Sequence, residues 1–339
     1  MAVLFPTAAP AEAAAQASRP VRNRRNILLG ALGALGMARA GHSPAIIGGA
    51  ADGSPPDSPA QRIDPNTVNS PWAGVGSLSV ASGPSRERQG TYTGTAIDTR
   101  HIVTAAHVVA GREPADIRFN LNYGADLSHR IGAQALFVHP DYAGFKPDPR
   151  SGIVHDDLAV VRLEQALPFG VPLYAILRTP VRTRTIITLV GYGLGGDGQE
   201  GSTVPVSPSV KRVGRNVIDA LLRDNGGGEH LEAYLFDFDG PDAATNRLGA
   251  RSLGNAIEAT VAGGDSGSPA LVPGPQGSWL LAGVNTFVAP RASGNRRFGG
   301  IGGGVLLHSY AAWIDSVLAD SGSGPALHRT RHLVASKDR

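Results

Sequence analysis

The chain has 339 residues, of which 42% are hydrophobic, so it can bury the core of one or two domains. Glycine and proline are abundant, with 45 and 25 residues, whereas aromatic residues reach only 6%. This composition favours an all-β protein with many turns. The chain has no cysteine, which excludes thiol catalysis, thiolate zinc sites and iron–sulfur clusters.

The formal net charge of +3 arises from basic residues concentrated near the two ends. Residues 1–40 and 321–339 hold nine of the 31 Lys and Arg residues but only two of the 28 Asp and Glu residues. The remaining chain is therefore mildly acidic and has no basic stripe that would bind a nucleic acid. We expect no nucleic-acid partner.

Residues 1–40 have the pattern of an export signal. Three arginines precede an apolar run over residues 27–37, and residues 38–40 provide a small-x-small cleavage pattern. The run is too short to cross a bilayer, so we expect a secreted protein without a stable membrane anchor. The pair Arg24-Arg25 is typical of a twin-arginine signal, and an ordinary secretory signal fits equally well.

Residues 41–62 are rich in Gly, Pro, Ser and Ala without an apolar period, which predicts a propeptide or linker. The rest of the chain predicts a folded domain over residues 63–319 and a disordered tail over 320–339. Within this domain we expect two strand groups, a bridge between them and one helix. The respective ranges are about 72–166 and 185–308 for the strands, 167–184 for the bridge and 309–319 for the helix.

The heptapeptide Gly263-Gly-Asp-Ser-Gly-Ser-Pro269 carries the strongest chemical signal. Glycines on both sides of Ser266 permit a tight turn that exposes the hydroxyl and lets backbone N–H groups point at one spot. A nucleophilic serine with an oxyanion hole needs this arrangement. The alternative is a surface turn in which the glycines have only a conformational role.

A serine nucleophile needs a neighbouring base, and the candidate is His107, at the end of the strand-like run Ile102-Val-Thr-Ala-Ala-His. The base in turn needs a buried carboxylate. Asp157 directly precedes the apolar strand at 158–163 and is the better candidate. Asp156 is the alternative, because neighbouring residues of a strand face opposite sides and only one of the two can face the histidine.

In their order along the chain, His107, Asp157 and Ser266 resemble the catalytic triad of the trypsin/chymotrypsin family of serine proteases. Further similar motifs are Thr104-Ala-Ala-His107, Val138-His-Pro-Asp-Tyr142, Gly191-Tyr-Gly193 and Tyr310-Ala-Ala-Trp-Ile314. The resemblance extends over about residues 63–319 and is to the cysteine-free, secreted bacterial branch. It implies two packed six-stranded Greek-key barrels, a C-terminal helix and a triad in the cleft between the barrels.

The resemblance also implies the role of each site residue. Ser266 would be the nucleophile, His107 the general base and then acid, and Asp157 the residue that orients His107. The N–H groups of Gly264 and Ser266 would form the oxyanion hole. Asp265 would pair with an amine freed by cleavage of a zymogen.

Two segments of the sequence could supply that amine. Ile46-Ile-Gly-Gly49 resembles the family's activated start but lies 26 residues before Trp72. Ile63 follows Arg62, a tryptic-type site, and its spacing from Trp72 fits the family better. We predict cleavage after Arg62 and a pair between the Ile63 amine and Asp265.

By the same resemblance, Thr260 lies at the base of the pocket that binds the P1 side chain, the residue before the scissile bond. Threonine has no charge, so a strong preference for Arg or Lys is not expected. Thr286, Phe287 and Val288 would line the walls, and Val288 would narrow the entrance. Asn285 stands where glutamate-specific relatives have a histidine. These residues predict an uncharged P1 residue of small to medium size.

The sequence therefore predicts a secreted serine endopeptidase, a hydrolase that cleaves polypeptides through an acyl-enzyme without a metal or other cofactor, as a monomer. The alternative is a catalytically weak or inactive binding module with the same fold. An α/β-hydrolase esterase is excluded, because that fold places its serine before its histidine. The acidic stretch Phe236–Asp242 has two possible interpretations, a calcium site or an acidic surface turn.

Overall fold

The computed structural model describes residues 46–49, 62–83, 85–121, 128–249, 251–255, 257–289 and 298–320. The predicted export signal, most of the predicted propeptide and nearly all of the predicted tail lie outside this part of the chain. Strands make up most of its regular structure, which confirms the all-β prediction.

The strands, in chain order, are β1 (Ile47–Gly48), β2 (Val75–Ser82), β3 (Arg88–Ala96), β4 (His101–Thr104), β5 (Ile117–Leu121), β6 (His129–Val138), β7 (Ala159–Leu163), β8 (Ala175–Ile176), β9 (Ile186–Gly191), β10 (Gly195–Asp197), β11 (Gly201–Val204), β12 (Arg212–Val217), β13 (Ala220–Arg223), β14 (Leu231–Asp237), β15 (Ala259–Thr260), β16 (Pro269–Pro273), β17 (Trp279–Ala289) and β18 (Ile301–Leu306). The α-helices are α1 (Ala106–Val109) and α2 (Leu307–Asp320), and short 3-10 turns cover Pro114–Asp116, Ala243–Thr245 and Pro275–Gly277.

The first barrel is a closed ring of six antiparallel strands in the order β2-β3-β4-β7-β6-β5. Closure pairs both sides of every strand, so the ring has no exposed edge. Its interior is filled by apolar side chains that include Leu78, Ile102, Phe119 and Val161. The pairing of β4 with β7 matters most for function, because it brings the end of one strand beside the start of the other.

The second barrel is built on an eight-stranded sheet in which β12-β9-β16-β17-β18-β14-β13 follow one another and β8 pairs with β17. The sheet curls so that strands from distant places in this order meet. Asn216 of β12 donates a hydrogen bond of 2.8 Å to the carbonyl of Asp237 at the end of β14. This sheet has two strands more than the predicted six, because β13 and the short β8 also join it.

A separate four-stranded sheet, in the order β11-β10-β1-β15, lies where the chain leads toward the heptapeptide. Its β1 is parallel to β10 and antiparallel to β15. Residues 46–49 are therefore held between two segments of the second half of the chain, far away in sequence.

Helix α2 begins two residues before the predicted start and buries one face, because its apolar residues recur at spacings of three and four. Ile314 packs in a core shared by both barrels, with Val103 from the first barrel and Leu271 from the second. Arg178 and Asp315 form a two-pronged ion pair of 2.7 and 2.8 Å beside the helix. No helix in the described ranges is long and apolar enough to span a membrane.

Candidate active site

His107 and Asp157 meet because β4 pairs with β7, with Thr104 opposite Ala159. The sequence analysis placed His107 at a strand end, and the structure places it on the short helix α1 that follows β4. The backbone N–H of His107 donates to Asp157 Oδ1 at 2.8 Å, and its ring Nδ1 lies 2.7 Å from Asp157 Oδ2. This geometry places the ring proton on Nδ1 and leaves Nε2 as a base.

Asp156 faces away from His107. Its φ of 55° lies in the left-handed region, which turns its carboxylate toward Tyr310. The Tyr310 hydroxyl lies 3.2 Å from Asp156 Oδ1. The structure therefore brings Asp157 to His107, although for a different reason than strand alternation, since both aspartates precede the first residue of β7.

Ser266 lies in a loop shaped by two glycines in the left-handed region, Gly264 with a φ of 84° and Gly267 with a φ of 87°. Other residues rarely adopt this conformation. The amides of Asp265, Gly267 and Ser268 donate to carbonyls at 2.7 to 3.1 Å. Ser266 is partly exposed, as its predicted role as a nucleophile requires.

The serine loop belongs to the second half of the chain but packs on the first barrel. Thr93 of β3 accounts for much of this contact, since its N–H donates to Ser266 O at 3.1 Å and its hydroxyl donates to Gly264 O at 3.0 Å. A Cβ atom at Gly267 would collide with Thr93 and with Thr104. Because Thr104 is three residues before His107, this docking brings the predicted nucleophile to the end of β4 that leads to the base.

Asp265 turns inward and is buried. Its Oδ2 accepts a hydrogen bond from the N–H of Ala262 at 3.0 Å, which closes the loop on itself. The other carboxylate oxygen of Asp265, Oδ1, packs so closely on Gly191 that any side chain at residue 191 would collide with it. The Gly-Tyr-Gly motif thus has a steric role in seating the serine loop.

The two candidate N-terminal segments have opposite environments. Ile46 and Ile47 are at most 1% exposed, and Ile47 pairs with both Gly196 and Thr260. Ile63 is 45% exposed and forms only an isolated bridge to Arg212. The predicted pair between Ile63 and Asp265 stays a prediction, and the burial of the two segments favours Ile46 instead.

The predicted P1-pocket residues lie on two strands. Thr260 is 1% exposed on β15, and Thr286, Phe287 and Val288 belong to β17. Val288 pairs with Gly302 of the neighbouring strand β18. These segments are the ones that the resemblance assigned to the pocket.

Asn285 cannot serve as a basic group in the P1 pocket, and Glu258 cannot serve as an acidic group there, because both side chains are engaged elsewhere. Asn285 is buried, where its amide donates to Ser268 and its Oδ1 accepts from the Tyr234 hydroxyl at 2.7 Å. Glu258 is 2% exposed and accepts hydrogen bonds from Asp239 N–H and Leu253 N–H at 2.7 and 2.8 Å.

Phe145, which has no signal in the sequence, stands edge-on to His107. The centroids of its ring and the His107 ring are 5.4 Å apart, at an interplanar angle of 68°. Phe145 is 60% exposed. A glycine at residue 144 and scattered prolines gave this loop no periodic pattern from which the contact could be predicted.

Glu232 was also missed, and it organises a buried polar cluster beside the triad. Its carboxylate bonds His155, the Asp156 N–H and the Tyr310 hydroxyl. Burial and the charge of Glu232 raise the pKa of Asp156 to about 6. Burial acts against a charged His155, yet its bond to Glu232 raises the pKa of this imidazole above the ordinary value. A lone glutamate in the apolar run of β14 offers no sequence signal for this role.

In the part of the chain that the structure describes, one group of side chains has three potential metal ligands within 4.8 Å of one another, from His139, Asp141 and Asp156. Asp156 is already engaged by Tyr310, and Asp141 is exposed. We therefore interpret the group as the outer part of the Glu232 cluster.

The carboxylates of the acidic stretch 236–242 have different surroundings. Asp237 is buried and accepts from the N–H groups of Arg247 and Leu248, whereas Asp242 is exposed and caps the turn that starts at Ala243. Asp239 is buried as well. The interpretation as an acidic surface turn is therefore wrong for Asp237 and Asp239, since the chain folds back over them.

These observations agree with a comparison against protein families. The trypsin family matches residues 66–314, well over half of the chain. The chain therefore belongs to the trypsin family of serine proteases, and its strands, first barrel and C-terminal helix are those that this family predicts.

A curated protein with a related sequence is the venom serine protease Bi-VSP of Bombus ignitus. It is 29% identical over 111 residues, which are 31% of this chain and 29% of the venom protein. The chain thus matches less than a third of this relative's length.

Proposed function

We propose that this protein is an active, exported serine endopeptidase that works as a monomer after removal of an N-terminal segment. The observation that carries the proposal is the His107–Asp157 pair, with two short contacts at 2.7 and 2.8 Å. The docked, partly exposed Ser266 loop supplies the third member. Nothing in this geometry depends on a cofactor.

The mechanism follows from these positions. His107 Nε2 takes the proton of the Ser266 hydroxyl as Ser266 attacks the peptide carbonyl, and Asp157 stabilises the imidazolium that forms. The N–H groups of Gly264 and Ser266 are proposed to stabilise the oxyanion. His107 then gives its proton to the leaving amine, and water releases the acyl group from Ser266 by the reverse sequence.

The proposed P1 preference is for uncharged residues of small to medium size. Thr260 places a neutral hydroxyl at the proposed pocket base, where a cationic side chain would need a carboxylate. The carboxylate of Glu258 does not supply the negative charge that a cationic P1 residue would need, because backbone N–H groups on another loop segment already hold it. The engaged amide of Asn285 argues against a basic group for an acidic P1 residue.

The deciding experiment compares the wild type with Ser266→Ala on a peptide library that varies P1, together with labelling by a serine-directed covalent inhibitor. We expect Ser266→Ala to lower kcat by about 10⁴–10⁶-fold, and the inhibitor to label Ser266 in the wild type only. A matched control is Ser268→Ala, which removes a nearby hydroxyl. Undiminished hydrolysis by Ser266→Ala would contradict Ser266 as the nucleophile, and a wild type that hydrolyses no library peptide would favour the binding module.

A further inference from the structure

Glu232 is a carboxylate that the catalytic mechanism does not use, and it is 1% exposed. Its Oε1 accepts the N–H of Asp156 at 2.9 Å and the hydroxyl of Tyr310 at 2.8 Å. Its Oε2 lies 2.8 Å from Nδ1 of His155. A buried carboxylate needs partners of this kind, and here two of the three are supplied by the residues directly before Asp157.

The Asp156 N–H that Glu232 binds belongs to a backbone in an uncommon conformation. A residue other than glycine keeps a φ of 55° only where its surroundings determine it. The same turn is closed by the Leu158 N–H, which donates to the Asp156 carbonyl at 2.7 Å. Asp157 lies inside this turn, so the turn decides where its carboxylate points.

Glu232 also connects parts of the molecule that are distant in sequence. It lies on β14 of the second barrel, and Tyr310 lies on α2, whereas Asp157 and His107 belong to the first barrel. The hydrogen bonds of Glu232 are therefore a direct polar link between the second barrel and the turn that carries the catalytic carboxylate.

We propose that Glu232 is a positioning residue, which holds the left-handed turn at Asp156 and thereby aims the Asp157 carboxylate at His107. This role deepens the proposed peptidase activity and rests on it. The hydrogen bonds of Glu232 are to His155, Asp156 and Tyr310, not to His107 or Ser266.

The charges around Glu232 suit this role. Burial disfavours its ionised form, but the bonds from His155 and the Asp156 N–H lower the pKa of the Glu232 carboxyl below its ordinary value. The titratable groups that face the cluster from other parts of the chain include Tyr310 on α2, the carboxylates of Asp141 and Asp148, and His139, whose Nδ1 lies 3.5 Å from Asp156 Oδ1. An ionised Glu232 can accept all three bonds at once, since each carboxylate oxygen has two lone pairs.

The test compares Glu232→Ala with Glu232→Gln. Alanine removes every acceptor, whereas glutamine keeps one oxygen that can accept from Asp156 N–H and Tyr310. We expect Glu232→Ala to lower kcat by about 10²-fold at nearly constant KM, the size of loss that a small misplacement of a catalytic group causes. Glu232→Gln should recover most of this loss. Titration with the covalent serine inhibitor gives kcat per folded active site.

A readout independent of turnover is the downfield proton resonance of the His107 Nδ1–H bonded to Asp157, recorded in a Ser266→Ala background. This resonance should broaden or move upfield in Glu232→Ala and persist in Glu232→Gln. The control is Asn120→Ala, which removes a buried amide bonded to Ser77 and Ser79 in the first barrel and should leave the resonance unchanged.

The outcomes separate the two proposals. An unchanged resonance and an unchanged kcat per active site in Glu232→Ala would overturn the positioning role. A wild type that hydrolyses no peptide, but whose resonance responds to Glu232→Ala as expected, would overturn the peptidase proposal and leave the positioning role standing.

Discussion

Asp156 and Asp157 are adjacent in sequence, yet their side chains have different surroundings. Asp157 is 0% exposed and bonds both the backbone and the ring of His107. Asp156 bonds the hydroxyl of Tyr310 instead. This difference makes the pair a matched test of the catalytic assignment.

We expect Asp157→Asn to lower kcat by about 10⁴-fold, because an asparagine keeps the shape of the side chain but favours the wrong tautomer of the histidine. Asp156→Asn should keep most of the activity, since asparagine tolerates the left-handed conformation and can still accept from Tyr310. Steady-state kinetics of both variants on one peptide substrate checks this prediction. A dead Asp156→Asn with an active Asp157→Asn would reverse the assignment.

Val288 offers a second residue-scale test, directed at specificity. Val288 is partly buried and pairs with Gly302 on the neighbouring strand β18. We expect Val288→Gly to raise kcat/KM for large aromatic P1 residues, relative to alanine, by about 10-fold or more, because pocket volume discriminates by roughly 1–3 kcal/mol. Val288→Ile is the control and should shift the profile the other way. A wild-type profile dominated by Arg or Lys would contradict the proposed pocket.

At the scale of elements, β1 is one of three strands of only two residues, and it fixes the position of residues 46–49. It is inserted between β10 and β15, and Gly49 N–H adds a bond to the Glu258 carbonyl at 3.2 Å. Residue 46 packs in the second-barrel core with Leu189 and Tyr234. Burial of this kind suits a segment that must order the neighbouring serine loop.

We therefore propose that the mature enzyme begins at Ile46 and that its amine pairs with Asp265, in place of the Ile63 pair predicted from spacing. Mass spectrometry of the active enzyme should find Ile46 as the first residue. Arg62→Gln removes the tryptic-type site and should leave processing and activity intact. Failure of that variant to mature would support cleavage after Arg62, and an active enzyme that starts at Gly41 would exclude both pairs.

At the scale of the whole molecule, several carboxylates are buried together where the second barrel meets the loop after β14. Burial and the charges of Asp237 and Glu258 raise the pKa of Asp239 to about 7. Burial and Asp237 likewise raise the pKa of Asp219 to about 8. The folded protein thus keeps protons that the unfolded chain releases near pH 4.

Because the folded state binds more protons than the unfolded state between about pH 4 and 7, these groups should make the free energy of unfolding fall as pH rises through that window. The slope is proportional to the difference in bound protons between the folded and unfolded states. Asp239→Asn should reduce this difference by up to one proton, and substitution of the exposed Asp242 by Asn should not change it. Urea unfolding of the Ser266→Ala protein at several pH values measures the slope. An equal slope in Asp239→Asn would mean that Asp239 is already charged in the folded protein.

Much of the strand pattern was predictable, because apolar runs between turn residues are a local signal. Strands β9 (Ile186–Gly191) and β14 (Leu231–Asp237) follow apolar runs of this kind and lie within the predicted strand range 185–308. The short β10 has no such signal, because Gly195–Asp197 has no apolar pattern and becomes a strand only through its partners. Helix α1 is likewise too short for a helical period to show.

The candidate triad can be recognised from short sequence segments, namely the glycine-flanked Ser266, His107 after its strand and Asp157 before an apolar run. Which aspartate faces the histidine and which isoleucine is buried cannot be read from such segments. Those choices depend on partners more than 75 positions away, such as Glu232 for Asp156 and Thr260 for Ile47. The residues next to a position in the sequence indicate which chemistry its side chain can perform. The direction and the burial of that side chain depend on contacts that form only when the two barrels pack.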